Sequence, residues 1–134
     1  MEKLIIEPTL NSPRVILDPE KKIFEFSGES RPENVKNFFM PVLEWLEDFS
    51  DELSEQDSTN GKFPLEFHFN FEYFNSTSAK FILDIFKTLS KLNSRGKEVE
   101  VKWHYEEDDE DMLEVGKEMS RMARLPFDYV KIQN

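Results

Sequence analysis

The chain has 134 residues, a formal net charge of −11, a hydrophobic fraction of 38%, 13 Phe and no Cys. That length suits one domain spanning 1–134, and so many aromatics need a core, which excludes a disordered chain. The missing cysteine excludes disulfides and thiol chemistry, the acidic balance disfavours nucleic acid and anionic membranes, and no apolar run is long enough to cross a bilayer.

Leu4 to Leu10 is an apolar start broken by Pro8, and Met1-Glu2-Lys3-Leu4 lacks the features of a signal peptide, so a cytoplasmic location is the default. Arg14 to Asp18 and Ile23 to Ser27 read as antiparallel strands joined by the turn Asp18-Pro19-Glu20-Lys21. Ser30-Arg31-Pro32-Glu33 has the form of a capping box. A helical apolar stripe follows (Val35, Phe38, Phe39, Val42, Leu43, Leu46, Phe49), interrupted by Pro41, which is expected to kink it; Trp45 flanks the stripe, partly exposed. Ser50 to Lys62 reads as an acidic connecting loop.

Leu65, Phe67, Phe69, Phe71 and Tyr73 alternate with Glu66, His68, Asn70 and Glu72, the period of a strand with one apolar and one polar face. The turn Asn75-Ser76-Thr77-Ser78 then leads into a helix beginning near Ser78, with Phe81, Ile82, Ile85, Phe86, Leu89 and Leu92 as its stripe. Gly96 is the expected left-handed cap. Val99, Val101, Trp103 and Tyr105 alternate in a second one-sided strand. The acidic run Glu106 to Asp111 opens a third helix with Met112, Val115, Met119 and Met122 as its stripe, and Phe127 to Ile132 is a last strand.

The order is β-β-α-β-α-β-α-β. Strands joined through helices should be parallel with right-handed crossovers. The polar alternate residues of two strands point to a mixed sheet with about three helices packed mainly on one face. Phe67, Phe69, Phe71, Ile82, Ile85, Phe86, Val101 and Trp103 should share one core.

The Asn75–Ser78 turn lies at the carboxyl end of a strand, where open α/β sheets place their functional sites. Its hydroxyls stand at a helix start, where free N–H groups and the helix dipole favour a phosphate. Capping by Ser, Thr or Asn also accounts for such a turn. Catalytic chemistry has little support: there are four glycines and no phosphate-binding glycine motif, and His68 and His104 fall on polar strand faces outside any triad pattern. Neither a cofactor nor a metal site is expected, although His68 and His104 with a carboxylate form a conceivable one.

Four segments carry a family resemblance: Pro32-Glu33-Asn34, Tyr73-Phe74-Asn75-Ser76-Thr77-Ser78-Ala79-Lys80, Trp103-His104-Tyr105 and Leu125-Pro126-Phe127. Spread in order through nearly the whole chain, they resemble the SiaC family of bacterial regulatory phosphoproteins, whose fold is similar to STAS domains. The resemblance implies a non-enzymatic, partner-switching α/β protein. A Ser/Thr protein kinase would phosphorylate the turn after Tyr-x-Asn, a PPM-type phosphatase would reverse it, and the unmodified form would bind and activate an output protein such as a diguanylate cyclase. By position the acceptor is Ser76, with Thr77 as the alternative, because the family's Thr-Ser-Ser is here Ser76-Thr77-Ser78. Tyr73, Asn75, Ser76, Thr77, Ser78 and Lys80 are the implied partner contacts. The acidic stretch 50–60 also departs from the family by its length. Two other classes stay open: an unmodified scaffold, and a small enzyme with a pocket around His68 and His104.

Overall fold

A computed structural model describes residues 1–55 and 64–133. Its elements are β1 (Leu4–Ile6), β2 (Arg14–Asp18), β3 (Ile23–Ser30), α1 (Val35–Ser54), β4 (Leu65–Phe74), α2 (Ser76–Ser94), β5 (Val99–Glu106), α3 (Glu110–Ala123) and β6 (Phe127–Ile132). The strands lie side by side in chain order in one six-stranded sheet. The β1–β2 and β2–β3 pairs are antiparallel; β3–β4, β4–β5 and β5–β6 are parallel. The reason is connection length: a short connection without a helix reverses the chain, whereas a helical crossover returns it in the same direction.

One face of the sheet is apolar. Phe24 stacks on Phe67 at 4.6 Å and Phe26 on Phe69 at 4.8 Å, each pair directly opposed across β3 and β4. Phe86 of α2 reaches Phe69 and Phe127, both at 4.6 Å. All eight residues expected in one core are buried there, with α1, α2 and α3 contributing to the same cluster. On the opposite face Glu66, Asn70 and Glu72 are exposed, so β4 is covered by helices on one side only.

Several expectations need correction. The apolar start holds a strand, β1, whose three residues at a sheet edge are too few to show a period. The supposed capping box does not cap. Asn34 starts α1 instead, its Oδ1 accepting from the Asn37 N–H at 3.0 Å. Ser30 is drawn into β3 by a register shift between Gly28 and Glu29; Gly28 has φ +101°, which a glycine adopts without strain. Trp45 is buried, its indole N–H donating to the Glu2 carbonyl at 2.8 Å. α1 continues through Pro41 and on to Ser54, so the connecting segment starts later than expected; the rest of the 50–62 loop, from residue 56, lies outside the described residues. Gly96 has the positive φ expected of it, +83°.

Candidate functional site

β4 ends at Phe74 and α2 starts at once. Asn75 is the N-cap, in extended conformation, with its Oδ1 accepting from the Ser78 N–H at 2.8 Å and from the Thr77 hydroxyl at 3.1 Å. The helix therefore begins at Ser76, two residues before the expected start. Ser78, expected among the partner contacts, is wholly buried. Its hydroxyl donates to the Ser30 carbonyl at 3.0 Å and accepts from the Ser30 hydroxyl at 2.9 Å. A surface role for Ser78 is thereby excluded, because a buried hydroxyl with two partners has nothing to offer a docking protein.

The other expected residues are at the surface. Tyr73 is 49% exposed: the pairing with β3 skips Glu72, so the alternation breaks there and Phe74, not Tyr73, packs against the core. Asn75 is half-buried, and Ser76, Thr77 and Lys80 are exposed. The three neighbouring hydroxyls differ in commitment. Ser78 is spent inside, Thr77 donates to Asn75, and Ser76 has no hydrogen-bond partner among the described residues. Lys80, one turn further along α2, has no ion pair among the described residues. An anion on Ser76 would meet the N-terminal field of α2 and a lysine four residues on, the favourable order for a helical ion pair.

Ser76 also borders a surface groove of about 380 Å³ between α2 and α3. Ala79 and Leu83 line it from one helix, Val115, Met119 and Met122 from the other, and Lys80 and Glu118 are its charged members. Here the expected stripe of α3 divides. Met119 is buried, whereas Val115 is 36% and Met122 54% exposed. The sequence carried these residues only as a helical apolar stripe, which does not distinguish core from groove.

α3 is capped by Asp109, whose Oδ1 accepts from the Met112 N–H at 3.0 Å, so the acidic run serves the helix start as expected. The helix rests on Trp103, whose indole N–H donates to the Met112 carbonyl at 3.0 Å. A Cβ on Gly116 would fall 2.6 Å from the indole Cδ1 and 2.7 Å from its Cε2. Glycine there lets α3 sit against the ring, which sets one wall of the groove.

The two histidines meet on the open face. His68 Nδ1 and His104 Nε2 are 2.9 Å apart, and His68 Nε2 is 3.0 Å from Glu66 Oε1. Both contacts are satisfied when the His104 Nε2–H donates to His68 Nδ1 and the His68 Nε2–H donates to Glu66. Among the described residues no three His, Asp or Glu side chains form a metal-binding group. Burial lowers the pKa of His104 from its ordinary 6.5, the His68 ring lowers it further, and Glu25 opposes both. In the window between 6.5 and that depressed value the unfolded chain binds the proton and the native chain does not. The stabilising contribution is thus complete above the ordinary histidine value and is lost as pH falls through the window. Urea midpoints on either side of it should show this loss in the wild type, and His104→Gln should flatten the dependence. An unchanged dependence in His104→Gln would assign the effect to other groups.

The fold is that of an α/β protein whose Asn75–Ser78 turn stands at the carboxyl end of a parallel strand. Residues 6–132 match the family model described as SiaC family regulatory phosphoprotein, and the chain belongs to that family. It is a regulatory phosphoprotein and not an enzyme. An uncharacterized protein of Pseudomonas aeruginosa strain UCBPP-PA14 is 29% identical over 127 residues, covering 95% of this chain and 94% of the relative. The crystal structure of apo-SiaC from Pseudomonas aeruginosa superposes with a TM-score of 0.80 at 28% identity, covering 97% of this chain and 99% of that one. SiaC in its complex with the diguanylate cyclase SiaD, which it activates, superposes with a TM-score of 0.82 at 28% identity, covering 96% and 99%. Among the described residues no helix is long and apolar enough to cross a membrane.

Proposed function

We propose that this chain is a phosphorylation-controlled activator, acting as one SiaC-like domain in the cytoplasm, with Ser76 as the acceptor and Thr77 as the alternative. The unmodified form binds and activates a diguanylate cyclase. A Ser/Thr kinase adds the phosphate and a PPM-type phosphatase removes it. The observation that carries this reading is the position of Ser76: an exposed hydroxyl with no partner among the described residues, at the start of α2 and on the border of an apolar groove. The kinship with SiaC, which forms a complex with the cyclase SiaD, supports the choice of output protein.

The electrostatics support an off-switch. A phosphate adds about −1.5 to −2 charge and three acceptor oxygens. Beside the groove that charge must be desolvated when an apolar partner surface docks, which a bare hydroxyl does not require. Lys80 can hold the phosphate on the free protein, favouring the undocked state further. Tyr73, Asn75 and Lys80 flank the acceptor and are the proposed contacts, with Ser78 acting from inside. Fragmentation mass spectrometry of the chain isolated from its native cells tests the assignment: phosphate on Ser76 is expected, and stoichiometric phosphate outside 75–78 would refute it. Partner binding that ignores a charge at Ser76 would instead indicate an unmodified scaffold.

A further inference from the structure

We propose that Ser30 and Ser78 form a buried clamp that positions the acceptor turn and makes Ser76, not Thr77, the phosphorylated hydroxyl. The proposal rests on the phosphorylation reading above. Both serines are 0% exposed although they lie 48 residues apart in the chain. The Ser30 carbonyl accepts twice, from the Ser78 hydroxyl at 3.0 Å and from the Asn75 N–H at 3.1 Å, while the Ser30 hydroxyl donates to Ser78 Oγ at 2.9 Å. Ser30 reaches this point because the register shift at Gly28 sets it opposite Phe74. Three bonds thus fasten the turn to the neighbouring strand.

The chemical consequence lies in how the turn distributes its hydroxyls. With the first turn of α2 held, the Asn75 amide engages both the Ser78 N–H and the Thr77 hydroxyl. Thr77 must break a hydrogen bond to react, and Ser78 cannot reach solvent. Of the turn's three hydroxyls, Ser76 is the one with no partner among the described residues, and it can attack. In the reaction its Oγ forms a bond to the γ-phosphorus of a nucleoside triphosphate, the β–γ bridging P–O bond breaks, the diphosphate leaves, and the hydroxyl proton passes to the kinase. Ser30 and Ser78 touch none of these atoms; they are positioning residues.

The test compares the full chain with Ser78→Ala and Ser30→Ala, each incubated with ATP and an extract of native cells as the kinase source. Fragmentation mass spectrometry reads the ratio of phosphate on Ser76 to phosphate on Thr77, and amide exchange reads residues 76–79. Alanine is a good helix former, so Ser78→Ala should fold even if Ser30→Ala does not. The expected result is a ratio lowered about tenfold, the equivalent of roughly one lost hydrogen bond, with faster exchange in the first turn of α2 and unchanged exchange in α3. A purely structural role would lower both phosphate yields together and leave the ratio alone. Phosphate on wild-type Ser76 with the same ratio in the folded variants overturns the clamp by itself. A wild type phosphorylated on neither hydroxyl overturns the phosphorylation reading, and the clamp's role with it.

Discussion

Ser76→Asp is expected to weaken binding to the proposed cyclase partner about a hundredfold, while Ser76→Ala binds as the wild type does. A fixed carboxylate at the border of the α2–α3 groove must be desolvated on docking, at a cost on the order of a few kcal/mol. Alanine leaves the border neutral. Stability does not confound the comparison, because Asn75 supplies the cap and Ser76 caps nothing. Aspartate in the first turn is mildly favoured by the helix dipole, by about 0.3–1 kcal/mol, so this variant should melt no earlier than the wild type. Titration calorimetry with the purified cyclase, together with its cyclic-di-GMP output, checks both halves. Equal affinity of Ser76→Asp and wild type would remove the turn from the interface.

Gly116→Ala is expected to destabilise the protein by about 1–3 kcal/mol, although helix propensity alone favours alanine by roughly 1 kcal/mol. Two effects compete, and the steric one wins because the obstacle cannot move. The indole of Trp103 is 1% exposed, anchored to the Met112 carbonyl, and surrounded by the rings of Phe71, Phe74, Phe86 and Phe127. A methyl group within 2.7 Å of it forces α3 outward. The melting temperature should drop by roughly 5 °C or more. Met119 and Met122 would move with α3, so partner affinity should fall as well. A melting temperature above that of the wild type would mean that the helix accommodates the methyl group and that propensity decides.

Periodicity was informative where one element face meets one environment. β4 as far as Glu72 and β5 as far as His104 alternate because the sheet is covered on a single side, so each strand carries both an apolar and a polar record. The stripes of α1 and α2 were legible for the same reason. The local pattern around Ser30 matches a cap, whereas its hydrogen bonds go to a residue 48 positions away. The family motif led to the turn and to Ser76, but it set Ser78 among the surface contacts. Burial set Ser78 apart, and the hydrogen bond to Asn75 set Thr77 apart from Ser76. Val115 and Met122 share the period of Met119 and could not be told from it until α2 was in place beside α3.

By itself the sequence determined the local elements from β2 onward, the parallel order that helical crossovers impose, the one-sided sheet, and the hydroxyl-rich turn after β4. These follow from short-range patterns: the period of apolar residues, connection length, and turn residues at the end of β4. Tertiary structure alone decided which hydroxyl of the turn is free, which apolar residues of α3 face outward, and why position 116 is glycine. Each of those depends on a neighbour distant in the chain (Ser30 under Ser78, Leu83 across from Met122, Trp103 beneath Gly116), and a contact between distant residues leaves no period in either segment.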